Sequence, residues 1–135
     1  NNFMKREFGK ALIEEVLESD IHLEVCPTSN VHTGAADSIT THPITGLWRA
    51  GLSLSFHTDN RLMSRITHSS EALALLQQTP LTITDLLQMG LQAANHSFLE
   101  ASIRDGAQGQ VRHWAAQAGL PLPSGPLPPP TRAPR

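Results

Sequence analysis

Two segments of this chain carry the alternation of a β-strand, and a helix-like stretch rather than a tight turn lies between them. In the first, Ile21-His22-Leu23-Glu24-Val25, apolar and polar residues exchange at every step. Cys26-Pro27 ends it, because proline cannot donate to a strand ladder. In the second, Leu52, Leu54 and Phe56 alternate with Ser53, Ser55 and His57. Between them, residues 27–41 read as a loop with Gly34 as its most flexible point. Pro43 then opens a short helix that places Ile44, Leu47 and Trp48 on one side and ends at Gly51. Strand, helix, strand in that order predicts a parallel crossover. Parallel strands are normally covered on both faces and flanked by further strands, and an isolated pair leaves two unpaired edges. The pair is therefore expected to belong to a larger sheet or barrel.

The rest of the chain reads as helix. Phe8, Leu12 and Val16, with Ile13 and Leu17, recur at four-residue spacing over 7–19, while Glu14, Glu15 and Glu18 fill the opposite side. After the second strand, Ser69 or Ser70 is placed to cap a helix running through Leu73, Leu75 and Leu76 to Gln78, where Thr79-Pro80 breaks it. Thr82 followed by Asp85 has capping-box spacing for a helix carrying Ile83, Leu86, Leu87, Leu91 and Ala94. A third helix is expected over 104–118, weakened at its start by Gly106 and Gly109. One domain is expected over 1–118, followed by a proline-rich tail over 119–135 that is expected to be disordered or polyproline-like.

Charge and cysteine content exclude several functions. A formal net charge of -2 with scattered basic residues provides no field for nucleic acid or an acidic membrane. No apolar run reaches the ~20 residues of a membrane span, and the opening N-N-F-M-K-R-E-F lacks the apolar stretch of a signal peptide. A soluble, cytoplasmic protein is expected. The single cysteine, Cys26, excludes an internal disulfide and a multi-thiolate zinc site, so a metal would need histidine and carboxylate ligands. None of the seven histidines pairs as H-x-H, H-x-x-x-H or H-E-x-x-H.

The chemistry-bearing candidates cluster around the two strands. Asp59 keeps the phase of the second strand's polar face just past its end, and Asn60-Arg61 follow it. A metal ligand and a substrate contact suit that position, although Asx residues there also form turns or cap the next helix. His57 shares the phase of Asp59 and can be a ligand or a hydrogen-bonded interior residue. Glu24, in phase with His22, can be a general acid or base, or part of a polar network inside a barrel. Cys26 reads as a small buried thiol without a base beside it, and Trp48 and Met63 read as helix packing.

L-E-V-C-P-T-S-N-V-H-T-G at 23–34 and S-F-H-T-D-N-R-L-M-S at 55–64, with H-P and a short helix between them, resemble the C-terminal part of adenosine deaminases, particularly bacterial ones. A-A-N-H-S-F at 93–98 is similar to the helix after that family's last strand, and the resemblance runs over about 11–118. It implies an α/β fold, the C-terminal part of a (β/α)8 TIM barrel, with 21–26 as the seventh strand and 52–58 as the eighth. Such a barrel needs roughly 250 residues, so the chain is expected to be the last quarter to third of the enzyme. The resemblance also implies a catalytic Zn2+ ligated by Asp59 and by three histidines upstream. It implies hydrolytic deamination of adenosine or deoxyadenosine to inosine and ammonia in purine salvage. Asn60 would contact an acceptor nitrogen of the purine's five-membered ring where many relatives have aspartate; an amide donates there, whereas an ionised carboxylate cannot. His57 stands where relatives commonly have asparagine, and residues 1–10 do not follow the family's entry to the seventh strand's preceding helix. The family's H-x-H pair, its two further histidines and its catalytic glutamate have no counterpart here. No catalytic residue is thus expected in the chain, which should be inactive alone and complete its barrel with the missing N-terminal part. A non-catalytic interaction or structural module is the alternative from another class. A fragment of a related adenine or aminofutalosine-type deaminase is the alternative within the family. The P-C-x-x-C signature of the cytidine-type zinc deaminases is absent.

Overall fold

The computed structural model describes residues 2–120, 122 and 123, with side chains from residue 9 onward. Its elements run α1 (Asn2–Glu18), β1 (Leu23–Val25), α2 (Pro27–His32), α3 (Ile44–Arg49), β2 (Leu54–Phe56), α4 (Arg61–Ser64), α5 (His68–Gln78), α6 (Ile83–His96) and α7 (Ala101–Gln117). The architecture is α/β, mostly helical, around a two-stranded sheet.

The two strands pair in parallel, as the crossover predicts, with Leu23 opposite Leu54, Glu24 opposite Ser55 and Val25 opposite Phe56. The ladder is shorter than the alternating patterns, because among the described residues each strand pairs only with the other. Single bonds extend it at both ends, from Leu23 N–H to the Ser53 carbonyl at 2.9 Å and from His57 N–H to the Val25 carbonyl at 2.8 Å. Alternation sends Leu23, Val25, Leu54 and Phe56 to one face. There α3, α5 and α6 cover them with Ile44, Leu75, Leu86 and Met89, and Ile39 and Leu81 join the same cluster. Leu54, Ile44, Leu75 and Met89 are completely buried. The opposite face carries His22, Glu24, Ser53, Ser55 and His57.

Several elements differ from the sequence reading. Residues 27–41 are not all loop, since Pro27 begins α2 and Asn30 N–H closes its first turn on the Cys26 carbonyl at 2.8 Å. Proline's fixed φ suits a first helical turn, while the Thr-Ser-Asn that follows has the weak helix propensity of a loop. The cap of α5 is Thr67, not Ser69 or Ser70. Its hydroxyl accepts from Ser70 N–H at 3.1 Å, and the Ser70 hydroxyl accepts from Thr67 N–H at 2.9 Å, a capping box with serine in the reciprocal position. Thr82 and Asp85 form the capping box their spacing predicts for α6. Helix α7 contains both Gly106 and Gly109. Their propensity cost of about 1 kcal/mol each is offset by packing against α6, where buried Ala115 and a buried Gln108–Asn95 hydrogen bond join the two helices. Met63 is exposed rather than packed, because the single turn of α4 buries none of its residues. Trp48 packs against the core and donates its indole N–H to Asp85 at 2.9 Å, tying α3 to α6. Burial disfavours the Asp85 carboxylate, but bonds from Thr82 and Trp48, with Arg49 nearby, outweigh it and hold the group below its ordinary range. The proline-rich segment over 119–135 lies outside the described residues except at 119, 120, 122 and 123. Among the described residues no helix is long and apolar enough to cross a membrane.

Burial grades the expected effect of substitutions. Leu54→Ala is expected to lose about 3 kcal/mol of stability and Thr82→Ala about 1 kcal/mol. Both should appear in urea unfolding as lower midpoints with an unchanged slope.

Candidate functional site at the carboxyl ends of the strands

Parallel strands finish at the same edge of the sheet, so the residues after β1 and after β2 become neighbours there. The hydroxyl of Ser29, in α2, donates to Oδ2 of Asp59 at 2.8 Å. Asp59 also lies close enough to the Cys26 thiol to influence it, and its side chain is anchored beside the segment that follows β1. Asp59 adopts φ +54°, a left-handed conformation that aspartate tolerates better than most residues. It is exposed, and among the described residues its Oδ1 accepts no hydrogen bond.

Asn60 caps α4, its Oδ1 accepting from Met63 N–H at 3.0 Å. The cap uses the amide oxygen and leaves the NH2 group to donate elsewhere. Burial pushes the Cys26 thiol up, with the Asp59, Glu71 and Glu24 carboxylates adding to the effect, so this half-buried cysteine is a poor nucleophile.

A line of polar side chains runs along the face of the strands opposite the aliphatic core. His57 Nε2 pairs with the Ser55 hydroxyl at 2.7 Å, and Ser55 with His22 Nε2 at 2.8 Å. His22 Nδ1 pairs with Ser53 at 2.8 Å, Ser53 with His96 Nδ1 at 3.3 Å, and His96 Nε2 with Asp20 at 3.4 Å. The His22 and His96 rings stack with centroids 4.8 Å apart. Burial, helped by His96, lowers the His22 pKa to about 4, so its imidazole is neutral near pH 7. His57 belongs to this line through Ser55, whereas Glu24 is exposed on the same face and stands outside it. Among the described residues no group of three or more histidine, cysteine, aspartate or glutamate side chains gathers to hold a metal ion.

Two site residues were not legible in the sequence. Ser29 lay in a segment read as loop, and its contact with Asp59 spans thirty positions. Glu71 lies in the first turn of α5 and is completely buried against Thr28. Only the polar alternation of His22, Ser53, Ser55 and His57 gave a local signal.

The family model for adenosine deaminase matches residues 6–114. This chain belongs to the adenosine deaminase family. The adenosine deaminase of Clostridium botulinum is 35% identical over 101 residues, which cover 75% of this chain and 30% of that protein. That of a Mycobacterium species is 43% identical over 79 residues, 58% of this chain and 22% of its own length. Adenosine deaminase 1 of Streptomyces coelicolor is 39% identical over 88 residues, 65% and 22% respectively. The chain thus spans under a third of the length of these deaminases. Among solved structures, the adenine deaminase of Arthrobacter aurescens superposes with a TM-score of 0.75 at 18% identity, covering 78% of this chain and 32% of that one. The α/β arrangement described above is therefore shared with part of a TIM-barrel deaminase.

The neutral histidines of this family member set a pH dependence. His22, His42 and His68 all lie below the ordinary histidine value, chiefly through burial. The unfolded chain binds protons below about pH 6.5 while the fold resists them, so stability falls as pH drops from there toward the folded values. Thermal melting is expected to be highest near neutrality and to decline through about pH 5. His22→Gln should flatten that decline.

Proposed function

We propose that this chain supplies the last two strands of a zinc-dependent adenosine deaminase barrel, β1 as the seventh and β2 as the eighth, with Asp59 as a zinc ligand and Asn60 as a purine contact. The observation that carries the reading is the Asp59 carboxylate, held at the carboxyl ends of parallel strands by Ser29 with Oδ1 left open. Active sites of barrel enzymes lie at that end. The donor set fits the metal in part: a carboxylate oxygen with a hydroxyl supporting its other oxygen is a competent zinc ligand, and the remaining ligands belong to other strands. Zinc, when bound, supplies a water acidified enough to react near neutral pH.

The chain's own residues bind and orient. Ser29 fixes the direction of Asp59. Asn60, with its oxygen committed to α4, keeps an NH2 that can donate to the acceptor nitrogen of the purine's five-membered ring. In this reading none of the described residues is the proton donor to the ring, and the isolated chain is expected not to turn over. Support for a piece of a larger sheet comes from a cleft of about 380 Å³ beside β2, walled by Phe56, Leu86, Leu87, Val111 and Trp114. Its apolar lining suits a further strand and helix of a barrel. The likeness to the Arthrobacter adenine deaminase favours a second reading within the same chemistry, in which the free base rather than the nucleoside is the substrate.

A chimera of the Clostridium botulinum enzyme carrying residues 6–114 of this chain in the matching place separates these readings. Zinc-dependent release of ammonia from adenosine is expected, and preference for adenine would select the second reading. Asp59→Ala should lower kcat/KM by at least about a hundredfold, and Asn60→Ala should raise KM about tenfold, the worth of one hydrogen bond. Wild-type activity in Asp59→Ala would remove the ligand assignment. The chain alone, supplied with zinc and adenosine, is expected to release no ammonia.

A further inference from the structure

Glu71 is a carboxylate with no exposed surface, and among the described residues no cation pairs with it. Both of its oxygens are used by one residue: Thr28 donates its backbone N–H to Oε1 at 2.7 Å and its hydroxyl to Oε2 at 2.5 Å. Burying an acid costs several kcal/mol unless its bonds compensate, and an apolar side chain of similar volume often serves stability equally well. What the acid adds is geometry. Gripping an N–H and an O–H of the same residue fixes both the position and the rotation of the first turn of α2 relative to the capped start of α5. The next residue along α2 is Ser29, whose hydroxyl holds Oδ2 of Asp59.

We propose that Glu71 is a positioning residue for Asp59, acting through Thr28 and Ser29 to aim the open carboxylate oxygen at the metal; the metal part of this claim rests on reading Asp59 as a zinc ligand. Asp59 needs such a device because it lies beyond the strand ladder, whose last bond is from His57 N–H to the Val25 carbonyl. It also adopts a left-handed backbone conformation. The sheet therefore fixes where the Asp59 backbone begins but not where its side chain points. The path from Glu71 to Asp59 consists of hydrogen bonds and a single peptide link. The substitution of an outer partner of a metal ligand commonly weakens metal binding tenfold or more.

The test uses the full chain labelled with 15N and titrated with Co2+, a paramagnetic probe that broadens amides near its binding position. In the wild type, broadening is expected at residues 58–60 and should vanish in Asp59→Asn. Ser29→Ala and Glu71→Leu are each expected to shift the Asp59 amide and to weaken Co2+ binding about tenfold. The double variant should be no weaker than Ser29→Ala alone, because both changes cut one path. Glu71→Gln, which keeps one acceptor for Thr28, should fall between wild type and Glu71→Leu. A role confined to stability predicts a lower melting temperature in Glu71→Leu with the Asp59 amide shift and Co2+ affinity unchanged, and that result, or additive losses in the double variant, overturns the proposal. If Glu71→Leu does not fold, Glu71→Gln and Thr28→Val carry the same comparison. If the wild type shows no broadening at 58–60, the titration is repeated on the chimera that supplies the other strands' ligands, and no broadening there overturns the ligand reading of Asp59. The positioning claim then stands or falls on whether Glu71→Gln and Thr28→Val move the Asp59 amide.

Discussion

The parallel ladder between β1 and β2 is the contact on which the rest of the structure depends. It is short, yet its register decides two things together. It turns Leu23, Val25, Leu54 and Phe56 to one face, where α3, α5 and α6 bury them. It also makes the two strands end at the same edge, so that Ser29 and Cys26 meet Asp59. A slip of one residue in either strand would present histidine and serine to the core and remove the hydroxyl from the carboxylate.

Sequence periodicity revealed what local rules control. The strand alternation, the Thr82–Asp85 capping box and the proline start of α3 all depend on residues within a few positions of one another. The strand pairing was legible because a helix between two strands almost forces a parallel crossover. Other features depended on distant partners. Residues such as Thr28, Ser29 and Asn30 have low helix propensity, and α2 is held at Thr28 by Glu71, forty-three positions away. The glycines of α7 argue against a helix until α6 is laid beside it. At the site, Asp59 and Asn60 stood out by phase and by motif, but the side chains that fix Asp59 did not.

The two faces of the sheet follow opposite chemistry. One is sealed by aliphatic packing. The other is a row of imidazoles and hydroxyls in which each ring nitrogen of His22 meets a serine, and burial keeps that imidazole neutral. In a barrel, inward-facing side chains pack in layers instead of bordering a channel. The neutral His22 imidazole, bonded through both ring nitrogens, meets that requirement without adding a charge of its own, which would be costly there.

Asn60 also bears on the acid-base demands placed on its position. A residue that caps α4 must accept a hydrogen bond from Met63 N–H, and one that serves the purine in the proposed site must donate one. An aspartate at 60 would meet the first demand best when ionised and the second only when protonated, so its two duties would compete for one proton. The amide divides them between its oxygen and its nitrogen. Capping and recognition then persist side by side across the whole range over which a carboxyl group would have to choose.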